Sequence, residues 1–283
     1  MSAAKLRALA ETDVLNPIPS DTVQAALTSP PFVYVPGTFN TRDVGLVPTA
    51  TGEPSKLKAG FVYRSGGLER LTDDGKSMLA NKLGIKKIFD LRSNGEHSNR
   101  PDPEIPGIEN VWSSTGEQDA QIDPNDFVDG LGESGYVKMY FDVLDLYPES
   151  FRTVLTHIRD HPDEPFLFHC TAGRDRTGVL SGMLLALAGA DPDTVSLDWL
   201  LSRIGTEPAR EQLLAFVKHA AGVESASNPT SFHNIASLRE VCWKAFLSEL
   251  ESKYGGFAGW VTKVLGFSDD DLKVIAKNLG ASA

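Results

Sequence analysis

The sequence predicts an α/β protein with a central, mostly parallel sheet flanked by helices, followed by a C-terminal block that is entirely helical. Three observations carry this expectation. As far as Ala188, short apolar runs alternate with segments of helical spacing, the order that yields a sheet with helices on both faces. Phe166-Leu167-Phe168, a loop of small and polar residues, and the apolar stretch from Val179 to Leu187 read in turn as buried strand, tight loop and buried helix. Beyond Ala188 only helical signals remain.

Taken in order, residues 1–35 read as an N-terminal arm with short helical stretches over Ala3–Glu11 and Asp21–Thr28, the second stopped by Ser29-Pro30-Pro31. Residues 36–283 read as the main domain. Phe61 to Arg64 and Lys87 to Leu91 are expected strands, separated by a helix over Thr72–Leu83 that Gly84 ends. Ile108 to Trp112 is a further strand. Residues 113–135 carry six acidic side chains among glycines and read as a long loop, either a cover near a pocket or a solvated excursion. Helices follow over Tyr136–Tyr147 and, past Pro148, through Phe151, Val154, Leu155 and Ile158. Strand 165–169 then leads into the loop before Val179.

The helical block spans about 191–283. Asp191-Pro192 is an N-cap with a proline at the first helical position. Helices are expected over Pro208–Ala220, Ile235–Tyr254 and Phe257–Leu265. Ser268 and Asp271 form a capping box before Leu272, Ile275 and Leu279. Residues 222–234, rich in Ser, Asn and Gly, read as a hinge. Such a block either completes the core or lies over a pocket as a lid. Cys242, between Val241 and Trp243, is expected to be a buried structural thiol.

Composition sets limits. The chain has 283 residues, 41% of them hydrophobic, and a net charge of −11. That charge argues against a nucleic-acid surface. An anionic ligand would need a local basic pocket. Two cysteines make no disulfide framework, and a reactive thiol suits a reducing compartment, so a cytoplasmic location is expected. Met1 to Asn16 has no apolar core of signal length, so neither a targeting segment nor stable membrane insertion is expected. Oligomeric state is left open.

The chemistry concentrates in His169-Cys170-Thr171-Ala172-Gly173-Arg174-Asp175-Arg176-Thr177-Gly178. A loop at a helix N-terminus can aim its backbone N–H groups at one point and bind an anion there. The same field, with Arg176 nearby, favours the thiolate of Cys170. A thiolate beneath a bound phosphate is placed for phosphoryl transfer through a phosphocysteine.

This loop resembles the HCxxGxxR[ST]G active-site loop of the cysteine-dependent protein tyrosine phosphatases. Its Asp175-Arg176-Thr177-Gly178 ending is similar to that of the bacterial and fungal branch with an HCxxGKDRTG loop. The likeness continues in Phe39-Asn40-Thr41-Arg42-Asp43-Val44-Gly45, in Tyr63-Arg64-Ser65-Gly66-Gly67-Leu68 and in Asp90-Leu91-Arg92-Ser93 followed by Glu96. It ends with Tyr254-Gly255-Gly256 and Leu265-Gly266, covering about residues 36–280. It departs at Arg174, where the family usually has Lys, and across 113–135. The resemblance implies a phosphatase domain over 36–283 and favours the lid reading of the helical block. The substrate it implies is a phosphoprotein, phosphotyrosine first and phosphoserine or phosphothreonine second, or alternatively a phosphoinositide or inositol polyphosphate.

The expected roles follow. Cys170 is the nucleophile, Arg176 binds the equatorial phosphate oxygens through two parallel N–H bonds, and the backbone of Thr171, Ala172, Gly173, Arg174, Asp175 and Arg176 forms the cradle. His169 fixes the loop, and Thr177 is placed to hydrogen-bond the sulfur. Asp175 is the expected general acid, then base toward water, with Asp90 the alternative. Arg92, with Arg42, Asp43 and Arg64, is expected in supporting salt bridges. Arg174 either holds a second phosphate or points to solvent or to the acidic 113–135 segment. No metal and no cofactor is expected. Two other classes fit parts of the pattern: a rhodanese-type sulfurtransferase, which would not need the Asp-Arg-Thr-Gly continuation, and a phosphate-binding module without catalysis, which would not need Cys170.

Overall fold

The structure is a computed structural model that describes residues 1–53, 55–113, 122–220 and 229–281. Its sheet has the order β1-β2-β5-β3-β4, formed by β1 (Arg42–Asp43), β2 (Val62–Ser65), β3 (Lys87–Asp90), β4 (Glu109–Trp112) and β5 (Phe166–His169). All neighbours pair parallel except β1, which runs antiparallel to β2. The predicted class is therefore the observed one. β1 escaped the sequence reading because two residues carry no periodicity.

Side-chain alternation explains why the sheet is covered on both sides. Val62, Phe89, Phe166 and Phe168 enter the larger apolar cluster, whereas Tyr63, Ile88 and Leu167 enter a smaller one. β5, formed last in sequence, lies between β2 and β3. The register aligns Ser65, His169 and Asp90 at one edge. The strand order reverses there, and ligands of open α/β sheets bind at such a point.

The helices are α1 (Ala3–Ala10), α2 (Ser20–Leu27), α3 (Asp73–Ser77), α4 (Asn94–Asn99), α5 (Glu133–Leu146), α6 (Pro148–Asp160) and α7 (Arg176–Leu187), then α8 (Pro192–Leu200), α9 (Ser202–Gly205), α10 (Arg210–Ala220), α11 (Pro229–Ala236), α12 (Glu240–Tyr254), α13 (Gly256–Lys263) and α14 (Asp269–Leu279). α7 is apolar around its whole circumference, as befits a helix buried among α5, α8, α13 and α14. α1 and α2, in the segment read as an arm, pack against α9 and bury Leu6, Ala10, Val23 and Ala26.

Several boundaries differ from expectation. The helix over 72–83 is α-helical only to Ser77 and continues as a π-helical turn through Met78–Lys82. The predicted helix 235–254 is two: α11 stops at Ala236 and α12 starts at Glu240. Of the predicted hinge, residues 222–228 lie outside the described residues and 229–234 belong to α11. Of the predicted 113–135 loop, residues 114–121 lie outside the described residues. Of the rest, Asp123, Asn125 and residues 129–131 are exposed, while Phe127 anchors the segment, buried against Tyr136 with its carbonyl accepting from Asn234.

Most of the C-terminal block completes the core. α12 packs on α5, α14 on α6 and α7, and Trp199, Trp243 and Trp260 are fully buried, so these helices complete the core. α10 instead stands beside the Cys170 loop.

Candidate active site

Cys170 follows the last residue of the central strand, and Arg176 opens α7. The loop between them is shaped from outside. Gly173 has φ +62, and a Cβ there would stand 2.3 Å from the Ser65 carbonyl oxygen, so no other residue fits without moving β2. The loop carbonyls are drawn outward: Thr171 O accepts from Gly67 N at 3.0 Å, and Gly173 O accepts from Asn40 Nδ2 and Arg64 Nη2, each at 2.8 Å. The N–H groups consequently face the other way. None of the backbone N–H groups of residues 171–176 finds an acceptor among the described residues. Unpaired N–H groups at a helix N-terminus form an anion cradle.

A buried ion network holds the outer partners. Asp198 accepts from Arg42 Nε at 2.8 Å, from Arg64 Nη1 at 2.5 Å and from Ser181 Oγ at 2.7 Å. Burial alone would raise the Asp198 pKa, but the two guanidinium groups bring it to about 2. Arg42 also holds Asn40, which sits at φ 57 with its amide turned to the loop. The expected salt bridges of Arg42 and Arg64 thus exist, and their partner is Asp198. Asp43 makes none among the described residues; its carboxylate caps the N–H groups of Gly45 and Gly60 at 2.9 and 2.7 Å.

Arg176 is gripped along one edge only. Nη1 and Nη2 donate to Glu96 at 2.5 and 2.9 Å, and Nη1 also reaches Leu91 O and Tyr147 Oη. Nε and the second hydrogen of Nη2, the opposite edge of the fork, have no acceptor among the described residues. That edge can bind two phosphate oxygens at once. Glu96 also accepts from Thr171 Oγ1 and from Ser93 N, the latter closing the capping box of α4. Burial opposes its ionisation, but the bonds from Arg176 and Thr171 hold its pKa at about 2.

His169 is fully buried, with Nε2 2.7 Å from Asp102 and Nδ1 3.3 Å from the Cys170 carbonyl oxygen. Burial would lower its pKa, but the Asp102 carboxylate raises it. Arg92 donates to Asp90 and to Asp102, each at 2.8 Å, so the expected salt bridge of Arg92 is present twice. Asp90 also accepts from Arg92 N and pairs with His97 at 2.8 Å. Against the effect of burial, these partners keep its pKa at about 2, which suits an ionised structural carboxylate. Asp90, Asp102 and His169 could converge on a metal, but Arg92 already occupies both carboxylates. The set does not suit a cation.

Asp175 is bound at both oxygens. Tyr140 Oη donates to Oδ1 at 3.0 Å, Trp199 Nε1 donates to Tyr140 Oη at 2.8 Å, and Arg174 Nε reaches Oδ2 at 3.0 Å. Burial drives the Tyr140 pKa far up, so the phenol keeps its proton and remains a donor. Neither expectation for Arg174 holds. Nη1 and Nη2 cap α11 through Ala236 O and Ile235 O at 3.2 and 3.1 Å, so its fork is taken by protein. The Thr177 hydroxyl is buried without a hydrogen-bond partner, so the expected bond to sulfur is not formed here. Cys242 is buried, donates to Leu131 O, and has a pKa pushed up to about 12 by burial, as befits an inert thiol.

Two cavities flank the loop, with Leu213 and Phe216 of α10 lining both. One adjoins Ala172, Arg174 and Asp175; the other adjoins Thr171, Phe39, Arg70 and Arg100. Sequence reasoning missed Glu96, Asp102, Tyr140 and Asp198 as site builders. Asp198 had left a signal, a lone acid within Leu197-Asp198-Trp199-Leu200-Leu201, and so had the capping box at Ser93 and Glu96. Asp102 and Tyr140 had none.

Residues 33–281 match the model of the tyrosine phosphatase family. A tyrosine-protein phosphatase of Nostoc commune is 30% identical over 229 residues, covering 79% of this chain and 76% of that protein. The triple specificity protein phosphatase PtpB of Mycobacterium tuberculosis is 26% identical over 261 residues, covering 80% of this chain and 91% of that protein.

Proposed function

The chain belongs to the tyrosine phosphatase family, and from that premise we propose that it hydrolyses phosphotyrosine in proteins through a phosphocysteine on Cys170. The observation that carries this reading is a loop between Cys170 and Arg176 whose backbone N–H groups have no acceptor among the described residues, next to an Arg176 guanidinium engaged through Nη1 and Nη2 with its Nε edge left unengaged among them. The Cys170 thiolate attacks phosphorus as the ester oxygen leaves. Arg176 and the loop N–H groups stabilise the charge spreading over the equatorial oxygens. Asp175 protonates the leaving phenolate and then takes a proton from the water that cleaves the sulfur–phosphorus bond. Tyr140 and Arg174 orient Asp175. Asp90 serves as support, because its oxygens are occupied by Arg92 and His97.

Thr177, with its hydroxyl otherwise unpaired, receives the thiolate released in the second step. His169, held by Asp102, fixes the first peptide of the loop. Cys170 is only 2% exposed, and a rigid phenyl arm carries a phosphate deeper than a serine side chain does. The thiolate chemistry suits a reducing compartment, so we place the protein in the cytoplasm.

Cys170→Ser tests the reading. Turnover of nitrophenyl phosphate should vanish while phosphate still binds, measured by calorimetry, and acid quench of the parent enzyme should trap phosphate on the Cys170 peptide. Substantial turnover in the variant would refute the phosphocysteine.

A further inference from the structure

The cavity beside Thr171 holds two arginines that the mechanism does not use. Arg70 makes no hydrogen bond or ion pair among the described residues, and the Arg100 guanidinium has a single weak partner, Glu69 Oε1 at 3.8 Å. The other arginines around the loop are engaged: Arg174 by Asp175 and α11, Arg203 by Glu207 and the carbonyls of residues 12–16, and Arg210 by Glu207 and Val14. Arg70 and Arg100 are exposed and outnumber Glu69, the carboxylate that lines the same cleft, so on a chain of net charge −11 the cleft carries a local positive charge.

Both are anchored to the phosphate loop. Gly67 N, three residues before Arg70, bonds Thr171 O, and Arg100 N bonds the carbonyl of Glu96, the residue that holds Thr171 and Arg176. Phe39, Pro208, Leu213 and Phe216 supply the apolar wall of the cleft.

We propose that this cleft is a second anion subsite, in which Arg70 and Arg100 bind an acidic side chain next to the phosphotyrosine of a protein substrate. The proposal rests on the phosphotyrosine reading above and adds a sequence preference to it. The apolar wall favours a peptide over an inositol phosphate, because an inositol ring has nothing to bury against Phe39 and Phe216, whereas a peptide brings both a charge and an apolar neighbour. The acidic residue lies within two positions of the phosphotyrosine, about 3.3–3.6 Å of extended chain for each.

The test uses the full chain and four substrates: a phosphotyrosine peptide with Asp at the adjacent positions, the same peptide with Asn there, nitrophenyl phosphate, and a soluble phosphatidylinositol phosphate. The parent enzyme should prefer the Asp peptide by about three- to tenfold in kcat/KM, the yield of two partly exposed ion pairs, and should lose that preference at high salt. Arg70→Ala combined with Arg100→Ala should abolish the preference through KM, with the loss on the Asp peptide exceeding that on nitrophenyl phosphate at least threefold.

Equal kcat/KM for Asp and Asn peptides in the parent enzyme would overturn the subsite, as would a preference that survives the double substitution. A larger loss on a soluble phosphatidylinositol phosphate than on the Asp peptide would also overturn it, assigning the arginines to a headgroup. Failure of the subsite leaves nitrophenyl phosphate turnover and its dependence on Cys170 standing, so the two readings fail separately.

Discussion

Glu96→Gln is the perturbation that best isolates how the phosphate-binding arginine is aimed. Glu96 receives two bonds from Arg176, at 2.5 and 2.9 Å, and one from Thr171. The substitution keeps size and shape but removes the charge and sets an amide NH2 against one Nη. Breaking a fully buried pair costs about 3–5 kcal/mol. Here the side chains are 17% and 28% exposed, so water takes up part of the loss and about 1.5–3 kcal/mol is the better figure.

Most of that should appear in the transition state, because the free edge of Arg176 no longer faces the phosphate at the right angle. At about 1.4 kcal/mol per tenfold, kcat/KM for nitrophenyl phosphate should fall roughly 10- to 150-fold. The Tm should fall by only a few degrees, as expected for a chain of this size. Arg176→Lys provides the control. A lysine cannot make the fork, so the effect of Glu96→Gln should largely disappear in that background. A loss smaller than threefold in Glu96→Gln, or additive losses in the double variant, would refute the argument that Glu96 acts by orienting Arg176.

Further outcomes are expected. Asp175→Asn should slow poor leaving groups such as phenyl phosphate by ~10²–10⁴-fold and activated aryl phosphates far less; equal losses would make Asp175 structural. Asp102→Asn should change the shape of the pH profile of kcat/KM, because the carboxylate that raises the His169 pKa is gone, and Asp102→Glu should restore part of it; a uniform drop at every pH would contradict a role through His169. Glu96, Asp90 and Asp198 all titrate near 2 in the folded chain, against ordinary values of 4.5, 3.8 and 3.8. Folded-state values depressed in this way contribute stability that is present above the unfolded-state values and lost as pH falls toward 2. The urea midpoint should therefore drop steeply between pH 4.5 and 2.5, and less steeply in Asp198→Asn; a flat midpoint over that range would count against the network.

The local order along the chain was legible in the amino-acid sequence because it rests on near-neighbour physics. Alternation and apolar runs located β2 to β5 within a residue or so, caps at Asp191 and Ser268 located two helix starts, and the small residues between Phe168 and Val179 marked the phosphate loop. The identity of the nucleophile and of its arginine is likewise local, since Cys170 and Arg176 lie on one loop and one helix start.

What the sequence alone left undecided depends on partners remote in the chain. That Asp198 holds Arg42 and Arg64, that Glu96 aims Arg176, and that Tyr140 orients Asp175 joins residues from 35 to 156 positions apart. A carboxylate carries no mark of which guanidinium it will meet. The choice is made by strand order, which sets β5 between β2 and β3 and so gathers Ser65, Asp90 and His169 at one edge. Arg174 is the clearest case. By sequence it was either a fork for a second phosphate or a side chain turned to solvent or to the acidic 113–135 segment, yet tertiary packing placed the end of α11 against it, and its N–H groups went to the C-terminal carbonyls of that helix. Buried or half-buried polar groups must be satisfied by whatever the fold brings near, and only the tertiary structure determines what that is.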